Sequence, residues 1–143
     1  MKIVDANVLL YAVNRDALHH EQARTWLDGA LSGNDTVGFS WIVLLAFVRI
    51  STRAGIFTAP LSVDDAMEQV ADWIAAPGAV VVQPGIDHAR YLARILERVG
   101  TGGNLVNDAH LAALALEQRA EIVSYDSDFA RFEGVRWGPP GER

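Results

Sequence analysis

The chain has 143 residues, half of them hydrophobic, a formal net charge of −6 and no cysteine. That length suits one domain with a sizeable core, and the missing cysteine excludes disulfides, thiolate metal sites and cysteine nucleophiles while fitting a reducing cytoplasm. The acidic balance argues against broad electrostatic coating of nucleic acid, although acids gathered around cations contribute to the same count.

In chain order, the pattern predicts a strand at Lys2–Val4, then a short helix through Tyr11. A second helix is expected over His19–Leu31, with Ala23, Trp26, Leu27 and Ala30 on its apolar face and with His19 and His20 facing solvent. Ser32-Gly33-Asn34-Asp35 reads as a turn, and Val37–Phe39 as a strand. Ser40 is placed to cap a helix from Trp41 to about Arg53, apolar on most sides and therefore expected to be central. Ser62 caps the next helix, with Asp64 and Asp65 in its first turn and Ala66, Val70, Trp73 and Ile74 as its buried stripe. Pro77-Gly78 ends it, and Ala79–Val82 is a fully apolar strand. Helices at Asp87–Val99 and Asn104–Arg119 flank a glycine-rich joint around Gly102. Ile122–Ser124 is a strand and Val135–Trp137 a last edge strand. Alternating strands and helices imply an α/β fold with a parallel sheet covered on both faces. One domain is expected over residues 1–137, with 138–143 as a flexible tail. No apolar run approaches the roughly 18 residues of a membrane span, and Asp5 interrupts the stretch a secretory signal would need.

Three aspartates stand where an α/β site would put them. Asp5 follows the first strand, Asp126 the last strong one, and Asp108 heads a helix. In open α/β sheets, ligands gather at the carboxyl ends of the strands. Three acids converging there repel one another unless a cation sits between them, and a hard divalent ion with oxygen ligands is the natural occupant. One or two such ions activate water and neutralise a leaving oxygen in phosphodiester cleavage. Asn7 and Ser124 are short polar groups beside two of the acids, suited to orienting a carboxylate or a water. Asp128 is a nearby reserve, or the cap of the Phe129-Ala130-Arg131 turn. Taken singly, each aspartate is better explained as a helix cap; taken together at matching strand ends, the three favour a site. A P-loop or Schiff-base enzyme is disfavoured because Lys2 is the only lysine, with no glycine-rich run before it. An aspartyl phosphatase is disfavoured because Asn7, not an acid, stands two residues after Asp5.

Asp5-Ala6-Asn7-Val8-Leu9-Leu10, Asn107-Asp108-Ala109-His110-Leu111 and Ser124-Tyr125-Asp126-Ser127-Asp128-Phe129 occur in the order of the three acidic motifs of PIN-domain proteins. Over essentially its whole length the chain resembles the VapC branch, the toxins of VapBC toxin–antitoxin pairs. The resemblance implies a three-layer α/β/α PIN-like fold with a central, mainly parallel sheet. It implies a Mg²⁺- or Mn²⁺-dependent endoribonuclease with Asp5, Asp108 and Asp126 as catalytic and metal-binding residues. It also implies a VapB-like antitoxin partner and a homodimer. The family usually carries a glutamate six residues beyond a serine or threonine on the helix after its second strand; here that position is Ala46. Asp16 and Glu21 are the nearest substitutes in sequence. One ion is therefore expected at Asp5 and Asp108, with Asp126 bridging through water; the alternative is a weakened or inactive module acting through partner binding.

Other residues admit two readings. Arg90, Arg94 and Arg98 form a stripe suited to phosphates or an acidic partner, or a solvated face beside Glu97. Arg49 and Arg53 lie near the absent glutamate and suit RNA or an antitoxin carboxylate. Trp41, Phe47 and Phe57 line a partner groove or fill the core. His110 is expected to pack or hydrogen-bond rather than ligate.

Overall fold

The computed structural model describes residues 1–55 and 57–141. Its strands are β1 (Lys2–Val4), β2 (Val37–Phe39), β3 (Ala79–Val81), β4 (Glu121–Val123) and β5 (Trp137–Gly138). They form one sheet in the order β3-β2-β1-β4-β5, every pair parallel. The helices are α1 (Ala6–Val13), α2 (His20–Gly29), α3 (Trp41–Ser51), α4 (Val63–Ala75), α5 (His88–Val99) and α6 (Val106–Gln118). They flank the sheet in the expected α/β/α arrangement: α1 packs against α2 and α3, α3 against α4, and α5 against α6.

β1 is the central strand, and Ile3 and Val4 are wholly buried. The chain leaves β1 toward β2 and β3 on one side and is completed by β4 and β5 on the other. The strand order therefore reverses beside β1, which opens a crevice beyond the carboxyl ends of β1 and β4. Phe39 and Phe47 meet Trp73 at ring-centroid distances of 6.3 and 4.7 Å, joining β2, α3 and α4 in one aromatic core.

Several local expectations change. α3 is not central: Val43, Leu44 and Phe47 are buried, but Trp41 and Leu45 are 42% and 59% exposed. Its apolar surround reflects a face left open to solvent rather than full burial. Phe47 and Phe57 are core residues; Trp41 is on the surface. Ser40 precedes α3 without a side-chain cap; its carbonyl accepts from Val43 and Leu44 N–H. Ser62 does cap α4, accepting from Asp65 N–H at 3.0 Å. β3 is an edge strand, so Val80 and Val81 are about 40% exposed despite the apolar run. His20 is buried rather than solvent-facing, its Nδ1 donating to the Tyr11 carbonyl at 2.8 Å, and His19 stacks on Tyr125 with centroids 4.3 Å apart. The last strand starts two residues later and ends one residue later than expected, at Trp137–Gly138. Gly138 belongs to β5, its carbonyl accepting from Ser124 N–H at 2.9 Å, and Pro140 is buried. Residues 142 and 143, the end of the tail expected over 138–143, lie outside the described residues.

Gly78 joins α4 to β3 where no side chain fits. A Cβ there would stand 2.5 Å from the Ala30 carbonyl oxygen and 3.0 Å from those of Leu31 and Asp35. Backbone oxygens cannot swing aside as a flexible side chain can. Gly78→Ala is expected to destabilise the fold by about 1–3 kcal/mol, measured as a lower urea midpoint at unchanged m-value; an unchanged midpoint would contradict this packing.

Candidate functional site

The crevice at the reversal point is built around Ser124, which follows β4 and is wholly buried. Its hydroxyl donates to Asp5 Oδ2 at 2.7 Å and accepts from Asn7 Nδ2 at 3.1 Å and from Asp126 N–H at 2.9 Å. One oxygen therefore ties the end of β1 to the end of β4. Asp5 follows β1 and also caps α1, its Oδ1 accepting from Ala6 N–H at 2.8 Å. Asn7 on α1 closes the loop, its Oδ1 accepting from Tyr125 N–H at 3.1 Å. The two polar neighbours expected to orient the acids, Asn7 and Ser124, thus both contact Asp5.

Asp108 arrives from the first turn of α6, which runs back along the sheet and so starts at the carboxyl edge. Asp126 caps the 3₁₀ turn Ser127–Arg131 by accepting from Asp128 N–H at 2.9 Å. Asp126, not Asp128, is the cap of that turn. Asp128 is left to point elsewhere: carboxylate oxygens of Asp108, Asp126 and Asp128 lie within 4.8 Å of one another. Asp5 stands beside this triplet and shares with Asp108 a cavity of about 250 Å³. Asp128, expected in a supporting role, thus has a carboxylate oxygen within 4.8 Å of those of Asp108 and Asp126. Asp16 and Glu21 do not substitute for the missing glutamate. Asp16 is exposed in the turn after α1, its N–H donating to Asn14, and the side chain of Glu21 is 91% exposed on α2.

The crowding is visible in proton affinities. Burial, then the charges of Asp5, Asp126 and Asp128, push the Asp108 carboxyl up from 3.8 to about 6. Burial also raises Asp5; the Ser124 and Ala6 hydrogen bonds oppose it, and the charge of Asp126 adds to it. All the donors are carboxylate oxygens, and none of the described ion pairs joins an arginine to Asp5, Asp108 or Asp126. Asp128 alone approaches one, Arg131 Nε, at 4.0 Å. A hard divalent cation is what such a donor set accommodates.

The arginines divide. Arg49 lines the cavity of Asp5 and Asp108. Arg90 pairs with Asp87 at 3.5 Å, Arg98 pairs with Glu133, and Arg94 lines a separate pocket on α5 with Tyr91 and Glu133. Arg53 is exposed beyond the end of α3. His110 is engaged as expected, sharing a 2.9 Å hydrogen bond with His88, whose Nδ1 donates to Glu117 at 2.6 Å. Burial and then the neighbouring His88 lower its pKa, with Glu117 opposing. Glu117 and His88 lie 29 positions apart, and neither motif nor spacing signals their pairing. The same holds for Tyr125, whose hydroxyl burial and Tyr11 push up to about 12.

The PIN-domain family model matches residues 2–135. The chain is 67% identical over 140 residues to Ribonuclease VapC37 of Mycobacterium tuberculosis, covering 98% of this chain and 97% of that protein. This is a PIN domain of the VapC family. Ribonuclease VapC33 of the same species is a more distant VapC relative, 36% identical with 98% of each chain covered. Among solved structures, VapBC2 from Rickettsia felis bound to a promoter DNA fragment matches with a TM-score of 0.70 at 20% identity, covering 96% of this chain and 97% of that one. Mycobacterium tuberculosis VapC20, titled a sarcin-ricin loop cleaving toxin, matches with a TM-score of 0.69 at 19% identity, covering 95% and 99%. At those identities the structures establish the shared PIN fold. Ala46, at the position where the resemblance led to a glutamate being expected, also lines the cavity of Asp5 and Asp108.

The raised Asp108 carboxyl has a thermodynamic consequence for metal-free protein. The native state holds this proton more tightly than the unfolded chain, so the Asp108 contribution is favourable below about pH 4 and is lost as pH rises from the ordinary 3.8 through about 6. Metal-free Asp108→Asn should therefore melt higher than wild type at pH 7, with the gap closing toward pH 4; equal melting temperatures at pH 7 would contradict the crowding.

Proposed function

We propose that this VapC-family protein is the toxin of a type II toxin–antitoxin pair and a divalent-metal-dependent endoribonuclease. The observation that carries the reading is the meeting of Asp108, Asp126 and Asp128 within 4.8 Å at the edge of the sheet, with Asp5 alongside. The name of the relative at 67% identity, a ribonuclease, supports the class of substrate. Asp108, Asp126 and Asp128 would hold Mg²⁺ or Mn²⁺, with Asp5 flanking Asp108. When bound, such an ion supplies Lewis acidity toward a phosphoryl oxygen and lowers the pKa of a coordinated water. The protein groups do the rest. Ser124 and Asn7 fix the Asp5 carboxylate, and Asp126 holds the 3₁₀ turn that presents Asp128. The crevice beyond β1 and β4 admits a strand of RNA to the acids. No side chain acts as a covalent nucleophile.

A VapB-like antitoxin is the proposed partner, in keeping with the VapBC complexes among the structural neighbours. A homodimer and a cytoplasmic location belong to the same reading; no helix among the described residues is long and apolar enough to cross a membrane. Ala46 favours a second reading, in which the domain acts only through partner binding.

Purified protein with Mn²⁺ should cleave a mixed RNA substrate, and excess EDTA should stop it. Asp108→Asn and Asp5→Asn should each lower the rate roughly 100-fold or more, because each removes a charge that the bound ion needs. Cleavage that persists in EDTA or in Asp108→Asn would overturn the metal-dependent reading. Absence of cleavage by partner-free wild-type protein that still binds the partner when the two are mixed would favour the second one. Calorimetric titration should find one strong Mn²⁺ site; two tight and equal sites in the wild type would contradict a centre lacking the glutamate at position 46.

A further inference from the structure

The cavity shared by Asp5 and Asp108 has an opposite wall. Ile42, Ala46 and Arg49 recur at helical spacing on α3 and line it together, and Asn107 enters from the start of α6. Arg49 is the one cation in that lining. Ala46, one turn before it, lines the same cavity with only a methyl group. The guanidinium makes no ion pair among the described residues.

A phosphodiester has two non-bridging oxygens to be gripped from different sides. The acid wall can grip one through a cation. An arginine across a cavity of about 250 Å³ is suited to the other, because its planar fork matches phosphate geometry. Arg90 and Arg98 are engaged with neighbouring acids and lie on another face, so they are less suited to this contact. Arg53 does not line the cavity.

Resting on the nuclease reading above, we propose that Arg49 is the substrate anchor of this site, binding a backbone phosphate of RNA opposite the carboxylate cluster, on the wall where Ala46 leaves no acid to hold a second cation.

The test measures affinity for a labelled RNA oligonucleotide in Ca²⁺, an ion that oxygen ligands accept, for wild type, Arg49→Ala, Arg49→Lys and Arg53→Ala. Mn²⁺ affinity and melting temperature are measured on the same proteins. Arg49→Ala should weaken RNA binding about tenfold or more, with Mn²⁺ affinity unchanged or tighter and melting unchanged. Arg49→Lys should recover part of the loss, and Arg53→Ala, equal in charge, should cost no more than about threefold. In Mn²⁺, Arg49→Ala should also raise KM for cleavage. Undetectable RNA binding by wild type, equal losses for Arg49→Ala and Arg53→Ala, or a loss in Arg49→Ala matched by weaker Mn²⁺ binding would each overturn the assignment. So would Arg49→Ala leaving RNA affinity intact while weakening capture of an acidic peptide. If wild type binds RNA through Arg49 yet never cleaves it, the nuclease reading fails and the anchor stands; if it cleaves with Arg49→Ala unimpaired, the reverse holds.

Discussion

The site depends on one buried hydroxyl. Ser124 is the junction through which Asp5, Asn7 and Asp126 are held in a single geometry, with three hydrogen bonds of 2.7 to 3.1 Å. Each bond satisfies a group that would otherwise be costly to bury. Together they fix the separation between the ends of β1 and β4, the two strands whose parallel pairing runs through Lys2–Val4 and Glu121–Val123. A methyl group at this position would remove the acceptor of Asp126 N–H and leave Asp5 Oδ2 only its longer contact with Asn7 Nδ2 at 3.4 Å. The network also explains why the acids stay close: their backbones are tied together before their charges are counted.

That closeness runs against electrostatics. Burial and like charge push Asp108 up to about 6, so in the metal-free protein this carboxyl holds its proton to higher pH than an isolated one. A fold that tolerates such a cluster at its surface edge spends stability there. The compensation lies elsewhere, in the wholly buried β1 and in the aromatic contacts of Phe39, Phe47 and Trp73. The parallel sheet brings together strand ends far apart in sequence, and α6 adds its first turn to the same edge. The acidic cluster is thus a product of topology: Asp108, Asp126 and Asp128 converge, with Asp5 beside them, where strand order reverses beside β1.

Much of this was legible in the amino-acid order. Apolar runs of three or four residues, each followed by helical spacing, announce a parallel α/β sheet, and an aspartate after β1 and after β4 announces the edge where the acids gather. Ser62 with Asp64 and Asp65 marks the start of α4 because capping is a local interaction. What stayed hidden was non-local. The role of Asp128 depends on which residue caps the 3₁₀ turn, and both Asp126 and Asp128 have the chemistry to do so. His20 looks like a polar residue at an exposed helix start, but the return of α2 against α1 buries it on the Tyr11 carbonyl. The exposure of Trp41 and Leu45 follows from where α3 lies relative to the sheet, which no hydrophobic period records. Gly138 and Pro140 have a loop-like composition, yet strand pairing with β4 orders Gly138.

The central claim is that the converging aspartates form a cation-binding centre at the edge of the sheet. Its most direct test is an anomalous difference map from crystals of the protein grown with Mn²⁺. The account predicts a peak bounded by carboxylate oxygens of Asp108, Asp126 and Asp128, at about 2 Å from its ligands, with Asp5 on its flank. A map without such a peak, or with Mn²⁺ bound only elsewhere on the surface, would contradict it.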